Sequence, residues 1–181
     1  TLVFSLADGV VGDVPEGAVI TAAGAFSWTP TEAQGPGLYT FDVCVSDGTL
    51  SDCETITVTV SEVNLAPVLA EIGDQSVAEL DTLTFNATAT DADIPVQTLV
   101  FSLADGVVGD VPEGAGIDPS SGVFSWTPTE AQGPGVYTFD VCVTDSYSGQ
   151  DCETITVTVN EVNVAPVIEP IEDQVIPEEV A

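Results

Sequence analysis

The stretch "DADIPVQ" (91–97) places two carboxylates, Asp91 and Asp93, on either side of one alanine, in a chain with thirty Asp and Glu and no Lys, Arg or His. Composition therefore rules out side-chain ion pairs. Each acid has only water, a backbone N–H or a metal ion as its partner. Oxygen donors gathered without cations suit a hard divalent ion. They serve catalysis poorly, because nothing here activates Ser or Cys or holds an oxyanion. Paired carboxylates can hydrolyse glycosides. Acids such as Glu32 and Glu130, or Glu62 and Glu161, however, recur from copy to copy of an internal repeat, as in a structural array, so the chain is read as non-enzymatic.

The same charge sets the classes of partner. A field of one sign repels nucleic acid and anionic lipid and attracts cations. No run of about eighteen apolar residues offers a membrane span, so direct membrane insertion is not expected. With 44% apolar residues the chain leaves the disordered class and should fold. It contains no Met, and neither end has a signal-peptide pattern, so the expectation is an interior piece of a longer protein.

The elements that must position the acids come in near-identical copies. "LVFSLADGVVGDVPEGA" begins at Leu2 and again at Leu99, "FSWTPTEAQGPG" at Phe26 and Phe124, and "DCETITVTV" at Asp52 and Asp151. One module recurs, with single-residue insertions in two loops. The segments "EVNLAPV" (62–68) and "EVNVAPV" (161–167) read as linkers, where a strand stops at Asn and a Pro imposes an extended entry. The expected division is an incomplete module over 1–64 that lacks its opening strands, a complete module over 65–163, and the opening strand of a further module over 164–181. Neighbouring copies would then abut head to tail and complete each other's half-modules, unless the cut merely bounds a fragment.

Within a module, "ETITVTV" (54–60) alternates Ile56, Val58 and Val60 against Thr55, Thr57 and Thr59, and "YTFDVCV" (39–45) alternates in the same way. Short strands, Gly/Pro/Asp punctuation and no helical period predict an all-β fold of tandem antiparallel β-sandwich modules. Trp28 and Trp126 are expected in the cores. Cys44 and Cys53 share outward parity on successive strands, as do Cys142 and Cys152, so each pair faces across a hairpin on the solvent side. The alternative is two pairs of free thiols. A zinc site is disfavoured, with no His and the pairs far apart. Four such cysteines in an acidic all-β repeat favour an oxidising, extracellular location.

The order of elements, with "EVN" then "APV" at each junction, "TATDAD" further on, "TPTEAQ" before an aromatic strand and "VTDS" or "VSDG" after it, resembles the cadherin family. More closely it resembles the bacterial cadherin-like and dystroglycan-type modules, whose "IDPSSGVFSWTP" stretch matches residues 117–128. The resemblance implies Ca2+ bound between successive modules. At the first junction it implies ligands from Glu32, Glu62, Asn64, Asp91, Asp93 and Asp145. At the second it implies Glu79, Glu130, Glu161 and Asn163, while Asp47 serves a junction before residue 1. Leu65 and Val164 stand where many linkers of the family carry another acid, and Pro30 and Pro128 where its "DRE" motif has Asp. One or two ions per junction are therefore expected. The alternative is a merely solvated acidic face.

Two readings of function follow. One is a calcium-stiffened structural repeat of an extracellular fibre, stalk or surface adhesin, with neighbouring copies of the repeat as partners. The other is an adhesion module that binds a surface glycan or protein. Near-identical copies favour a spacer, and Tyr147, at the tip of the longer hairpin, is the candidate contact for a binder. Asn86-Ala87-Thr88 forms a sequon, but its strand-like setting speaks against glycosylation. Equivalent strands of such similar modules can also mispair, a hazard that hairpin disulfides would limit. Each bridge closes a loop of about ten residues, worth about 2–3 kcal/mol in a chain-entropy model. Reducing both is expected to lower the melting temperature; an unchanged transition would sink the bridge assignment.

Overall fold

A computed structural model of the chain describes residues 1–173, 175, 176 and 178. Residues 1–64 form β1 (Val3–Ala7), β2 (Val19–Ile20), β3 (Phe26–Ser27), β4 (Gly37–Ser46) and β5 (Ser51–Val60). There follow β6 (Val68–Leu69), β7 (Gln75–Ala78), β8 (Leu83–Asn86), β9 (Ala89–Thr90), β10 (Val100–Ala104), β11 (Gly116–Ile117), β12 (Val123–Trp126), β13 (Gly135–Thr144) and β14 (Gln150–Asn160). The only helical pieces among the described residues are two 3-10 turns, Glu32–Gln34 and Glu130–Gln132. The fold is all-β, as expected. Among the described residues no strand follows Asn160.

The second copy forms a sandwich. One sheet runs β10-β13-β14-β7, with β7 parallel to β14 and the other neighbours antiparallel; the other runs β11-β12-β8. Their facing sides bury Phe101, Phe124, Trp126, Phe139, Val141, Val143, Ile155, Val157 and Val159. Phe124 is stacked between Phe85 on β8 at 4.5 Å and Phe139 on β13 at 5.9 Å. Alternation on β14 puts Ile155, Val157 and Val159 on the core side.

That parity also turns two acids of β14 inward, and the chain uses them. Asp151 accepts the N–H of Leu69 at 2.8 Å, and Glu153 accepts those of Ile72 at 2.7 Å and Gly73 at 2.8 Å. Asp74 returns the contact by accepting the Thr156 N–H at 2.9 Å. The opening segment is thus fastened to the last strand by carboxylates that hold backbone amides. The equivalent Asp52 and Glu54 of the first copy are exposed, since residues 1–64 contain no counterpart of that segment.

The same difference separates the tryptophans. Trp126 is 1% exposed and Trp28 only half-buried, so the core expectation holds fully in the second copy. Phe124 is fully buried and Phe26 is 39% exposed. Strand β12 pairs with β8 and runs four residues, whereas β3 has no such partner among residues 1–64 and stops at two.

The cysteines pair as expected, Cys44 with Cys53 and Cys142 with Cys152, each directly opposite in the hairpin register. The solvent-side expectation needs one correction. Cys44 and Cys142 are only 9% and 2% exposed, because β4 and β13 are central strands covered by neighbours on both sides, while Cys53 and Cys152 are exposed.

Truncating the same aromatic residue in the two copies should therefore have unequal effects. Phe124→Ala is expected to destabilise by about 3–5 kcal/mol and Phe26→Ala by about 1 kcal/mol, read from urea unfolding of each variant. Equal losses would contradict the difference in packing.

Candidate metal centres at the repeat junctions

Two groups of acids bring carboxylate oxygens within 4.8 Å of one another: Glu32, Glu62 and Asp93, and Glu79, Glu130 and Glu161. Each element presents its acid for a local reason. Glu32 opens a 3-10 turn that is fixed by Gln34, whose Oε1 accepts the Thr31 N–H at 2.9 Å, and by Tyr39, whose hydroxyl donates to the Gln34 carbonyl at 2.7 Å. Glu130 opens the same turn in the second copy, held by Gln132 and Tyr137. Glu62 and Glu161 lie just past β5 and β14, where the ladder stops. Asp93 comes from the loop after β9 and is 3% exposed. The first group therefore joins residues from both sides of Asn64, and Ile94 N–H donates across it to Glu32 Oε1 at 3.0 Å.

Around Asp93 the donors are backbone and amide groups. The Leu65 N–H donates to both of its oxygens, at 3.2 and 3.0 Å, and Gln97 Nε2 donates to Oδ2 at 2.6 Å. The Asp93 N–H in turn donates to Asp91 Oδ1 at 2.9 Å. Asp145 is buried and accepts the N–H groups of Tyr147 and Gly149, both at 2.8 Å, and Asn64 Nδ2 at 2.9 Å. Among the described residues, three buried carboxylate oxygens have no hydrogen-bond partner: Glu62 Oε1, Asp91 Oδ2 and Glu79 Oε2.

Glu79 is the most enclosed of these acids, at 1% exposure. Its Oε1 accepts the Val162 N–H at 2.8 Å, while Oε2 lies against Gly133, where a Cβ would sit 1.9 Å away. Only glycine leaves room for that carboxylate. Asn163 is exposed beside this group. Asp47 is exposed too, holds the N–H groups of Thr49 and Leu50 at 2.8 and 2.9 Å, and belongs to neither cluster.

The electrostatics follow the geometry. Desolvation, then the charges of Glu32 and Asp93, push the Glu62 carboxyl above its ordinary value; desolvation, then Glu79 and Glu130, do the same at Glu161. Desolvation raises Asp145, but hydrogen bonds from Asn64, Gly149, Tyr147 and Ser148 outweigh it and hold that group low. The N–H groups of Leu50 and Thr49 hold Asp47 low. A buried, unpartnered oxygen in an all-oxygen group without a cation fits a divalent ion with oxygen ligands.

Of the residues singled out in the sequence, the structure gathers Glu32, Glu62 and Asp93, and separately Glu79, Glu130 and Glu161. It places Asp91, Asn64 and Asp145 in hydrogen-bonded contact with the first junction through Asp93 and Gln97, and leaves Asp47 and Asn163 outside both groups. Sequence reasoning missed Gln97, Asp151 and Glu153. For the last two a signal existed: they hold inward parity on a strand that otherwise alternates apolar residues inward.

Sandwich, repeat and junction together define a cadherin-like, Ig-type repeat. The family model described as "Putative Ig domain" matches residues 1–61 and 66–160, and the chain belongs to that family. Among solved structures, the chain is similar to protocadherin gamma B2 extracellular cadherin domains 1–5 (TM-score 0.57, 19% identity, 90% of this chain, 34% of that one). It is also similar to domains 3–6 of the same protein (0.56, 20%, 93% and 45%) and to mouse cadherin-23 EC22-24 (0.53, 20%, 90% and 54%). The likeness is one of fold, and the chain spans about a third to a half of those structures. No curated protein matches the sequence.

In chelator, the raised carboxyls of Glu62 and Glu161 bind protons more readily folded than unfolded. Their repulsion is present at neutral pH and relieved as pH falls toward 4.5. The melting temperature is therefore expected to rise over that interval, and a Glu62→Gln, Glu161→Gln variant to flatten the rise. Asp145 and Asp47 contribute fully above 3.8 and lose their contribution only below it, so they do not oppose the trend. An identical pH slope in the variant would refute this account.

Proposed function

We propose that the chain is a non-catalytic structural repeat of an extracellular fibre, stalk or surface adhesin, stiffened by calcium where one repeat meets the next. The observation that carries this reading is the set of unpartnered buried oxygens, on Glu62, Asp91 and Glu79, in a chain without a cation. The two clusters are complementary parts of one arrangement. Glu32 and Glu62 correspond in the repeat to Glu130 and Glu161; the first cluster adds Asp93 from the following repeat and the second adds Glu79 from its own. A junction with repeats on both sides would unite them, approaching the six to eight oxygens that calcium takes. Magnesium, which demands a near-ideal octahedron and keeps its waters, fits less well. When bound, the ion would neutralise the clustered carboxylates and tie two repeats and their linker together.

The two disulfides support an oxidising, extracellular setting. Head-to-tail contact between neighbouring repeats is supported by the first group itself, which draws Glu32 and Glu62 from one copy and Asp93 from the next.

Calcium is expected to raise the melting temperature of the chain relative to chelator by more than 5 °C, about 2 kcal/mol or more for a domain of this size. An Asp91→Asn, Asp93→Asn variant should lose most of that rise. Equal melting temperatures with calcium and with chelator would reduce the acids to a solvated face and overturn the reading.

A further inference from the structure

We propose that Gln97 takes the place of a cation between Asp93 and Asn64, so that one side of the first junction is fastened without metal and calcium is taken only on the other. The inference rests on the junction reading above and specifies how that site is divided.

Gln97 Nε2 donates to Asp93 Oδ2 at 2.6 Å and to Asn64 Oδ1 at 2.8 Å, while its Oε1 accepts the Ser146 hydroxyl at 3.0 Å. A primary amide has two N–H donors. Both are spent on oxygens from two different elements that a bridging cation would otherwise draw together. One side chain thereby ties the linker (Asn64), the loop after β9 (Asp93) and the tip of the β13–β14 hairpin (Ser146). Asn64 continues the chain through Nδ2 to Asp145 Oδ2.

The distribution of unpartnered atoms follows this division. Asp93 stands between the two sides, its oxygens accepting from Leu65 and Gln97 while also lying close to those of Glu32 and Glu62, and on the Gln97 side both oxygens of Asp145 accept hydrogen bonds. The unpartnered oxygens of the junction belong to Glu62 and Asp91, neither of which Gln97 reaches.

The hairpin is built for the contact. A Cβ at Gly149 would lie 2.3 Å from Asp145 Oδ2 and 2.8 Å from Asn64 Nδ2, so the tip closes on the linker only with glycine there. The first copy's hairpin is one residue shorter and has Gly48 in place of Ser146. The latch thus accounts for a place where two otherwise near-identical copies diverge: "TDSYSGQD" against "SDGTLSD".

The test uses the full chain as wild type, Gln97→Ala, Gln97→Glu and Ser146→Ala. In chelator, Gln97→Ala is expected to lower the melting temperature by about 3–6 °C, and Ser146→Ala to lower it by less. Titration calorimetry with calcium chloride should show Gln97→Glu binding one more ion per chain than wild type, since a carboxylate cannot donate to Asp93 and must recruit a cation. An unchanged melting temperature for Gln97→Ala in chelator overturns the proposal, as does an unchanged ion count for Gln97→Glu. Wild type that binds no calcium at all would instead defeat the junction reading, and the chelator comparison of Gln97→Ala would still decide whether the amide fastens the linker.

Discussion

Everything in this molecule is arranged around the lack of a positively charged side chain. With thirty acids and nothing to pair them with, the backbone N–H becomes the principal donor available to a carboxylate. The acids become structural wherever the chain turns amides toward them. Asp8 and Asp105 hold the N–H groups of Val14 and Val111, Asp118 holds those of Ser120 and Ser121, and Asp151 and Glu153 hold an entire entering segment. Such bonds are charge-assisted and directional. They also leave net charge where it was, so the repulsion between acids is organised rather than removed.

The junctions are where this arrangement runs out of amides. Strands have ended, the linker contains Pro67, which has no N–H, and several carboxylates converge from different elements. The Leu65 N–H, the side chain of Gln97 and the tip of the β13–β14 hairpin satisfy one flank. Glu62, Asp91 and Glu79 keep oxygens that no donor reaches. At these points the chain leaves clustered charge unsatisfied by its own donors, unlike the sandwich cores, built from Phe, Trp and β-branched residues.

Much of this was legible in the sequence because the copies are so alike. Alternation in "ETITVTV" and "YTFDVCV" set the faces of the long strands, and common parity paired the cysteines correctly. Parity alone did not give burial: Cys142 points away from the core and is still covered, because flanking strands shield a small side chain on a central strand. Identical sequence did not give identical packing either, since the fates of Phe26 and Phe124 are decided by whether Phe85 lies opposite. Glu32, Glu62 and Asp93 were reachable through family resemblance. Gln97 was not, because a neutral amide in a loop has no periodicity, and its role emerges only when Asn64 and Ser146, far away in sequence, come within reach.

The parallel pairing of β7 with β14 sets how the repeat answers tension. Strand β7 enters from one end of the second copy and β14, its last strand, leaves toward the other, and the two lie side by side over Gln75–Ala78 and Val157–Asn160. A pull on the two ends of this repeat would draw them in opposite senses along their common axis. The ladder bonds are then loaded together in shear instead of being peeled apart in turn, and the carboxylate anchors of Asp151 and Glu153 lie along the same seam. In the second copy a load along that axis would fall first on this short clamp of backbone hydrogen bonds at the sheet edge, ahead of the aromatic core behind it.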